Sequence, residues 1–181
     1  MSRVDPRAWI CARNEVICSR AVCGLVGILR RDGEPADARL IDRMLAPMLH
    51  RGPDGRGVWS QNEIALGHLR LSILDLSERA SQPIASPGGE GVLVYNGEVY
   101  NYREIAQQFD ASEQPESGYG DTAIVLAALM KWGPQALGMF NGMWALLLYD
   151  SHEKTLLVSR DRFGVKPLYF YGSNDEFYFA S

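Results

Sequence analysis

The 181-residue chain lacks any hydrophobic run that could cross a membrane. Apolar stretches such as Met143 to Tyr149 fall far short of the roughly 20 residues that a spanning helix needs. The N-terminal segment is interrupted by charged side chains and forms no apolar block, so no secretory signal is predicted. These absences argue against a membrane or secreted protein.

Cysteine and histidine are also scarce, and acidic residues outnumber basic ones. The three cysteines all lie within the first 23 residues, whereas a secreted disulfide scaffold would spread them through the fold, so we expect a reducing, cytoplasmic setting. The three histidines are too scattered to predict a metal site. The net charge of -4 argues against general nucleic-acid binding. No Gly-rich phosphate loop occurs in the sequence, so no ATP site is predicted here.

The chain does have enough apolar material for one core. Hydrophobic residues make up 46% of it, which suffices for one well-buried domain or for one domain plus a tail. Residues 1–22 show no periodicity of either kind and are interpreted as an extension. The domain is therefore expected to span residues 23–181.

Short apolar segments separated by turn residues predict a mixed fold. Helices are predicted at 37–49, Tyr100–Phe109 and Thr122–Trp132. Strands are predicted at Cys23–Leu29, 57–60, 63–69, Val92–Tyr95, Met143–Tyr149, Leu156–Ser159, Leu168–Tyr171 and Phe177–Ala180. Because strands cluster at both ends with helices between them, the pattern predicts an α+β layered domain rather than an alternating parallel fold.

Asn96 and Gly97 close one predicted strand and have two interpretations. Asn-Gly is the commonest hairpin turn, and this dipeptide alone favours a turn. An Asn amide beside a Gly backbone N–H can instead form an oxyanion hole, since each donates a hydrogen bond and glycine permits close backbone approach.

Three further residues are ambiguous one by one. Arg70 could be a surface charge or a bidentate clamp for a carboxylate. Asp121 stands where a helix N-cap belongs, but it could pair with a substrate ammonium group. Cys23 could be a small buried hydrophobe or a nucleophile, with His50 or His68 as a weakly indicated partner.

Seven motifs, taken in order, are far more specific than any of these residues alone. They are C-G-L-V-G-I from Cys23, H-R-G-P-D-G-x-G from His50, G-H-x-R-L-S-I-L-D-L from Gly67, Q-P-I from Gln82, Y-N-G-E-V-Y-N-Y from Tyr95, G-D-T from Gly120 and R-D-R-F-G-V-K-P-L-Y from Arg160. With them the chain closely resembles, from Cys23 to Ser181, the glutaminase domain of class II (N-terminal nucleophile) glutamine amidotransferases. The asparagine synthetase type is the nearest match.

The resemblance implies a four-layer αββα sandwich that hydrolyses L-glutamine to glutamate and ammonia. It implies that Cys23 is the nucleophile, forming a glutamyl thioester, with its own free α-amino group as general base. An α-amine has a pKa of roughly 7.7–8, which suits that role. Asn96 and Gly97 would form the oxyanion hole. The segments His50–Asp54 and Arg160–Leu168 are interpreted as structural braces.

The resemblance also assigns the substrate contacts. Arg70 would clamp the α-carboxylate of glutamine. Asp121, with the region of Glu98, would recognise its α-ammonium group. Leu71 and Ile73 would line the pocket through backbone contacts.

The chain departs from the family pattern at its start, because 22 residues precede Cys23 and leave it without a free amine. A misplaced gene start is favoured, with Val22 encoded by a GTG initiator codon. A cleaved propeptide and a fixed extension on an inactive glutaminase are the alternatives.

The second departure is that a synthetase domain, which normally follows, is not part of this sequence. The resemblance implies a C-terminal or separate ATP-dependent partner domain of the asparagine synthetase type that receives the ammonia. ATP and magnesium are expected only there, and no cofactor is expected in this chain. A homodimer is one expectation for its assembly. The alternative function is an inactive glutaminase-like module that braces a synthetase partner.

Overall fold

The structure, a computed structural model, describes residues 23–71, 81–113, 115 and 120–181. The strands in these ranges are β1 (Gly24–Arg30), β2 (Gly55–Gln61), β3 (Ile64–Arg70), β4 (Ile84–Ala85), β5 (Gly91–Val99), β6 (Gly142–Asp150), β7 (Thr155–Arg160), β8 (Tyr169–Gly172) and β9 (Glu176–Ala180). The helices are α1 (Ala38–Leu45), α2 (Tyr102–Ala106) and α3 (Gly120–Trp132), with 3₁₀ turns at Ala46–Met48 and Gly133–Gly138. The predicted extension 1–22 and Ile73 lie outside the described residues.

Two antiparallel sheets form the middle of the domain. The first sheet has the strand order β2-β3-β1-β9-β8, and the second has the order β4-β5-β6-β7. Alternating side chains from both sheets meet between them, among them Leu25 and Leu66 from the first and Val94 and Leu147 from the second. Fully burying one such side chain stabilises the fold by about 1.5–3 kcal/mol.

Helices cover the outer faces of the two sheets. Ile41 and Leu45 of α1 pack on Val26 of the first sheet. Val125 of α3 belongs to the core that covers the outer face of the second sheet, which includes Leu93. The order of layers is therefore helix, sheet, sheet, helix, which confirms the predicted αββα sandwich. No helix among the described residues has both the length and the apolar character needed to cross a membrane.

Two predicted helices are too long, and one short strand was missed. The α-helix predicted over 37–49 ends at Leu45, where Pro47 lacks the N–H that an α-helix needs and the chain tightens into a 3₁₀ turn. The helix predicted over Tyr100–Phe109 keeps its α form only at Tyr102–Ala106, because residues 108 and 109 donate to carbonyls three residues back. β4 lies between the strands predicted at 63–69 and Val92–Tyr95, where no element was predicted.

The loop after β7 is held by one buried carboxylate. Asp161 is 5% exposed and accepts hydrogen bonds from four backbone N–H groups. The donors are Trp144, Phe163, Val165 and Lys166. Burial on its own would raise the pKa of Asp161, but these donors more than offset it and hold the pKa below its usual value. Such contacts are those of a structural brace, as the sequence motif suggested.

Candidate active site

Cys23 lies immediately before β1, with its sulfur at the end of β3. The backbone N–H of Leu71 donates to Sγ at 3.4 Å, and Sγ lies 3.7 Å from the Leu71 carbonyl oxygen. The thiol is free and half-buried. The antiparallel register, which sets Gly24 opposite Leu69, brings Cys23 next to the segment that carries Arg70 and Leu71.

The end of β3 is supported by the loop His50–Asp54. Gly52 is buried so close to β3 that an added Cβ would lie 2.5 Å from the carbonyl carbon of Leu69 and 2.6 Å from the nitrogen of Arg70. Only glycine fits there without moving backbone. The Asp54 N–H donates to the Arg70 carbonyl at 3.0 Å. The loop therefore fixes the backbone on which Arg70 stands.

Asn96 lies within β5 and not in the turn that the dipeptide favoured. It pairs with Ala145 of β6, and β5 continues to Val99. The turn prediction is wrong because the long pairing with β6 overrides the local preference of Asn-Gly. The Asn96 side chain is 1% exposed, points between the two sheets, and donates from Nδ2 to Ser181 Oγ at 2.9 Å.

One backbone N–H of β5 has no partner in the part of the chain that the structure describes. Tyr95, Gly97 and Val99 turn their N–H groups away from β6, since backbone groups alternate along an antiparallel strand. The Tyr95 N–H donates to Gln82 Oε1 at 2.6 Å, and the Val99 N–H donates to the Asp121 carboxylate at 2.8 Å. The Gly97 N–H lies between these two and has no acceptor among the described residues. A donor is thus available beside the Asn96 amide.

Asp121 lies inside the first turn of α3 and does not cap it, so the N-cap prediction is wrong. Helix α3 begins at Gly120, one residue before Asp121. Gly120 has a φ of 62°, a left-handed conformation that glycine adopts without strain. One carboxylate oxygen of Asp121 accepts from the Val99 N–H and from the Tyr95 hydroxyl, both at 2.8 Å. Burial raises the pKa of Asp121, and these two donors oppose the rise.

The remaining candidate residues are Glu98, His50 and His68. Glu98 follows Gly97 on β5 and is half-buried, with its side chain on the face that Asn96 occupies. Neither His50 nor His68 forms a hydrogen bond with Cys23 among the described residues. His50 Nδ1 lies 3.1 Å from the Pro47 carbonyl oxygen, and His68 Nε2 bonds to the Tyr95 carbonyl of β5. The geometry does not support a Cys–His pair.

A family model described as a glutamine amidotransferase domain matches residues 22–181, nearly the whole chain. The chain belongs to this family. A Methanocaldococcus jannaschii protein assigned as a glutamine-hydrolysing asparagine synthetase is 38% identical to the domain, covering 88% of this chain and 34% of that protein. Glutamine-hydrolysing asparagine synthetase 1 of Bacillus subtilis is 34% identical, covering 88% of this chain and 26% of that protein. The amidotransferase domain therefore spans about a third or less of these relatives.

A solved structure shares the fold. Glutamine phosphoribosylpyrophosphate amidotransferase from Bacillus subtilis, complexed with ADP and GMP, superimposes with a TM-score of 0.71 over 87% of this chain and 41% of that chain. At 20% identity the likeness shows the fold alone.

Two side chains hold β5 of the amidotransferase domain, a role that the sequence did not predict for either of them. Gln82 accepts from the Tyr95 N–H at 2.6 Å and donates to the Tyr95 carbonyl at 3.1 Å, which imitates a paired strand. His68 Nε2 donates to the same carbonyl at 3.2 Å. Gln82 belongs to the Q-P-I motif and His68 to the G-H-x-R motif, so a polar residue inside a motif was the available signal.

His68 is neutral in the folded domain. Burial lowers its pKa to about 4, the Arg70 charge adds to that effect, and the bond to the Tyr95 carbonyl opposes it. Unfolding returns the pKa to 6.5, so the unfolded chain takes up the proton first as the pH falls. The free energy of unfolding should therefore fall between pH 6.5 and 4, with a slope of up to about 1.4 kcal/mol per pH unit from this group.

Replacing His68→Gln, which keeps a donor for the Tyr95 carbonyl, should flatten this decline. The measurement is denaturant unfolding from about pH 4 to 7.5, with free energies of unfolding compared at each pH. His152→Gln, at an exposed histidine, is the matched control with which the His68→Gln curve is compared. Equal slopes for His68→Gln and the unaltered domain would show that His68 does not titrate this way.

Proposed function

We propose that this domain hydrolyses L-glutamine to glutamate and ammonia through a thioester on Cys23. The observation that carries the proposal is the pair of donors on β5, where the buried Asn96 amide lies beside the Gly97 N–H, for which the described part of the chain offers no acceptor. Two fixed donors side by side are suited to stabilise a developing oxyanion. Cys23, with a free and half-buried thiol, supplies the nucleophile.

The reaction has two balanced steps. The Cys23 thiol passes its proton to the α-amine, and the sulfur attacks the side-chain carbonyl carbon of glutamine. The tetrahedral oxyanion then collapses, the C–N bond breaks, and ammonia leaves with the proton, so that a glutamyl thioester remains. Water adds to the thioester, the C–S bond breaks, and glutamate departs with the thiol restored. Asn96 and Gly97 would stabilise both oxyanions, and losing one such donor typically costs on the order of 10²–10³ in rate.

The general base is the α-amino group of Cys23. This group is free only when Cys23 is the first residue of the chain. In the 181-residue sequence the nitrogen of Cys23 is bonded to Val22 as a peptide amide, which has no useful basicity. The active form is accordingly the one in which Cys23 is N-terminal, whether by a start at Val22 or by cleavage.

Recognition of glutamine is assigned to the groups around β3 and α3. Arg70 binds the α-carboxylate through its planar guanidinium. Asp121 and Glu98 bind the α-ammonium group. Leu71 lies at the sulfur and lines the pocket through its backbone. The same role for Ile73 remains a prediction.

The ammonia is proposed to pass to an ATP-dependent synthetase domain of the asparagine synthetase type, in the cytoplasm, with aspartate as the default acceptor. The names of the relatives and their greater length support this. Large side chains on the loop after β7 and on β8 are exposed, as on a surface that meets another domain. They are Phe163 at 91%, Val165 at 58%, Tyr169 at 64% and Phe170 at 68%. ATP and magnesium would belong to that partner domain.

A second candidate function is an inactive module that only braces a synthetase partner. The peptide-bonded nitrogen of Cys23 in the 181-residue sequence favours it. The two functions differ in whether freeing Cys23 releases glutaminase activity.

Freeing Cys23 should switch on glutaminase activity. The full chain and a chain starting Met-Cys23, whose methionine is removed in the cell, are compared by glutamate release from glutamine. We expect the second to be at least about 100-fold faster, because general base catalysis contributes about 10²–10⁴. Mass spectrometry checks which residue is first.

The control is Cys23→Ser in the shorter chain, which should lose activity and keep its circular dichroism. A full chain that is active with all its residues attached would contradict the free-amine mechanism. Two folded but inactive chains would favour the bracing module.

Arg70→Lys should weaken binding of the α-carboxylate. A point charge replaces a bidentate fork, so KM for glutamine should rise about 10-fold or more with a smaller change in kcat. The variant should also discriminate less between glutamine and its α-methyl ester. Arg56→Lys, on neighbouring β2 with Asp42 as ion-pair partner, is the control and should leave both constants unchanged. An unaltered KM in Arg70→Lys would remove Arg70 from the substrate site.

The partner is tested on the natural protein purified with an antibody against this chain. An activity that exchanges pyrophosphate into ATP in the presence of aspartate should copurify with this chain, because adenylation of aspartate by a synthetase is reversible. If glutaminase activity is recovered without any carboxylate-dependent exchange, the proposed synthetase partner is wrong.

A further inference from the structure

Ser181 contacts both β1, which follows Cys23, and β5, which carries Asn96. Its N–H donates to the Leu25 carbonyl at 2.9 Å and its carbonyl accepts from the Leu25 N–H at 3.3 Å, so it extends β9 beside β1, close to Cys23. Its hydroxyl reaches the other sheet, where Oγ accepts from Asn96 Nδ2 at 2.9 Å. Ser181 and Asn96 are 2% and 1% exposed, so water does not compete for this bond.

We propose that Ser181 is a positioning residue that orients the Asn96 amide as an oxyanion donor. This inference rests on the proposed hydrolysis of glutamine. A planar primary amide has two N–H groups, and when Ser181 accepts from one, the direction of the other is set. The terminal torsion of an Asn side chain has only broad preferences, so without a partner the amide can rotate and turn its oxygen toward the oxyanion.

The bond also ties the donor to the nucleophile's sheet. Asn96 stands on the second sheet, whereas Cys23 precedes β1 of the first. Groups that act on one reacting carbonyl must keep their geometry to within about 0.5 Å. The hydrogen bond between Asn96 on β5 and Ser181 at the end of β9 therefore fixes the Asn96 amide relative to the sheet that Cys23 precedes.

The role of Ser181 is separable from support of the strand. Gln82 and His68 already hold the backbone of Tyr95, and β6 pairs with β5 along its length. Removing the Ser181 hydroxyl should leave β5 in place and release only the amide of Asn96.

The kinetic test uses the chain in which Cys23 is the first residue. Ser181→Ala should lower kcat about 10–100-fold, a part of the loss expected for a missing donor, while KM for glutamine changes less than about twofold. Ser181→Thr keeps the hydroxyl and should restore most of kcat. Ser86→Ala is the matched control, because it removes a buried hydroxyl that accepts from the Gly91 N–H at the far end of β5, and it should leave kcat unchanged.

A double-mutant cycle identifies the path of the effect. In an Asn96→Ala background, Ser181→Ala should cost little more, because its target is gone. An equal loss in both backgrounds, or an unchanged kcat in Ser181→Ala alone, would overturn the proposal. If Ser181→Ala does not fold, Ser181→Cys replaces the hydroxyl with a much weaker acceptor and is judged by the same outcomes.

A structural readout separates this inference from the proposed function. In the full 181-residue chain, the side-chain amide signals of Asn96 are followed by NMR and assigned by their loss in Asn96→Asp. Ser181→Ala should shift them and speed their hydrogen exchange. If the domain shows no glutaminase activity at all, the proposed function fails. Independently of that result, Asn96 amide signals that are unchanged in Ser181→Ala would overturn the positioning role.

Discussion

The site depends on a strand that has too few partners. β4 is only two residues long and pairs with Leu93 and Val92, so the second half of β5 has β6 on one side and, among the residues that the structure describes, no strand on the other. Buried backbone N–H and C=O groups must still find partners. Side chains from elsewhere supply them at two positions, through Gln82 at Tyr95 and through Asp121 at Val99. Between them, the Gly97 N–H finds no acceptor in the described ranges, so an incomplete sheet edge can become a binding site.

The same arrangement explains why residues far apart in the chain belong together. Asp121 joins the Tyr95 hydroxyl to the Val99 N–H and so holds α3 against β5. Cys23 and Leu71 are brought together by the register of β1 with β3. Gly97 itself is required for packing, because a Cβ there would lie 2.3 Å from the Met143 carbonyl oxygen. Packing and proposed chemistry therefore constrain the same short segment.

Much of the fold was predictable because it follows from local patterns. Apolar segments such as Met143–Tyr149 became central strands, since their burial is favourable wherever they lie. Asn96-Gly97 was not predictable in this way, because its turn preference is weak beside the pairing of β5 with β6. The side-chain bonds of Gln82 and Ser181 join residues 13 and 85 positions apart, and no local pattern indicates such partners.

The sequence by itself determined the layered architecture and the family, because hydrophobic alternation and seven ordered motifs are local properties of the chain. It also supplied the candidates Cys23, Arg70, Asn96, Gly97 and Asp121. Only the tertiary structure decided how they stand: that Asn96 lies within a strand, that Asp121 faces β5 instead of capping its helix, and that the Gly97 N–H is left unengaged among the described residues. These are outcomes of strand register and packing between distant segments, which depend on the whole fold at once.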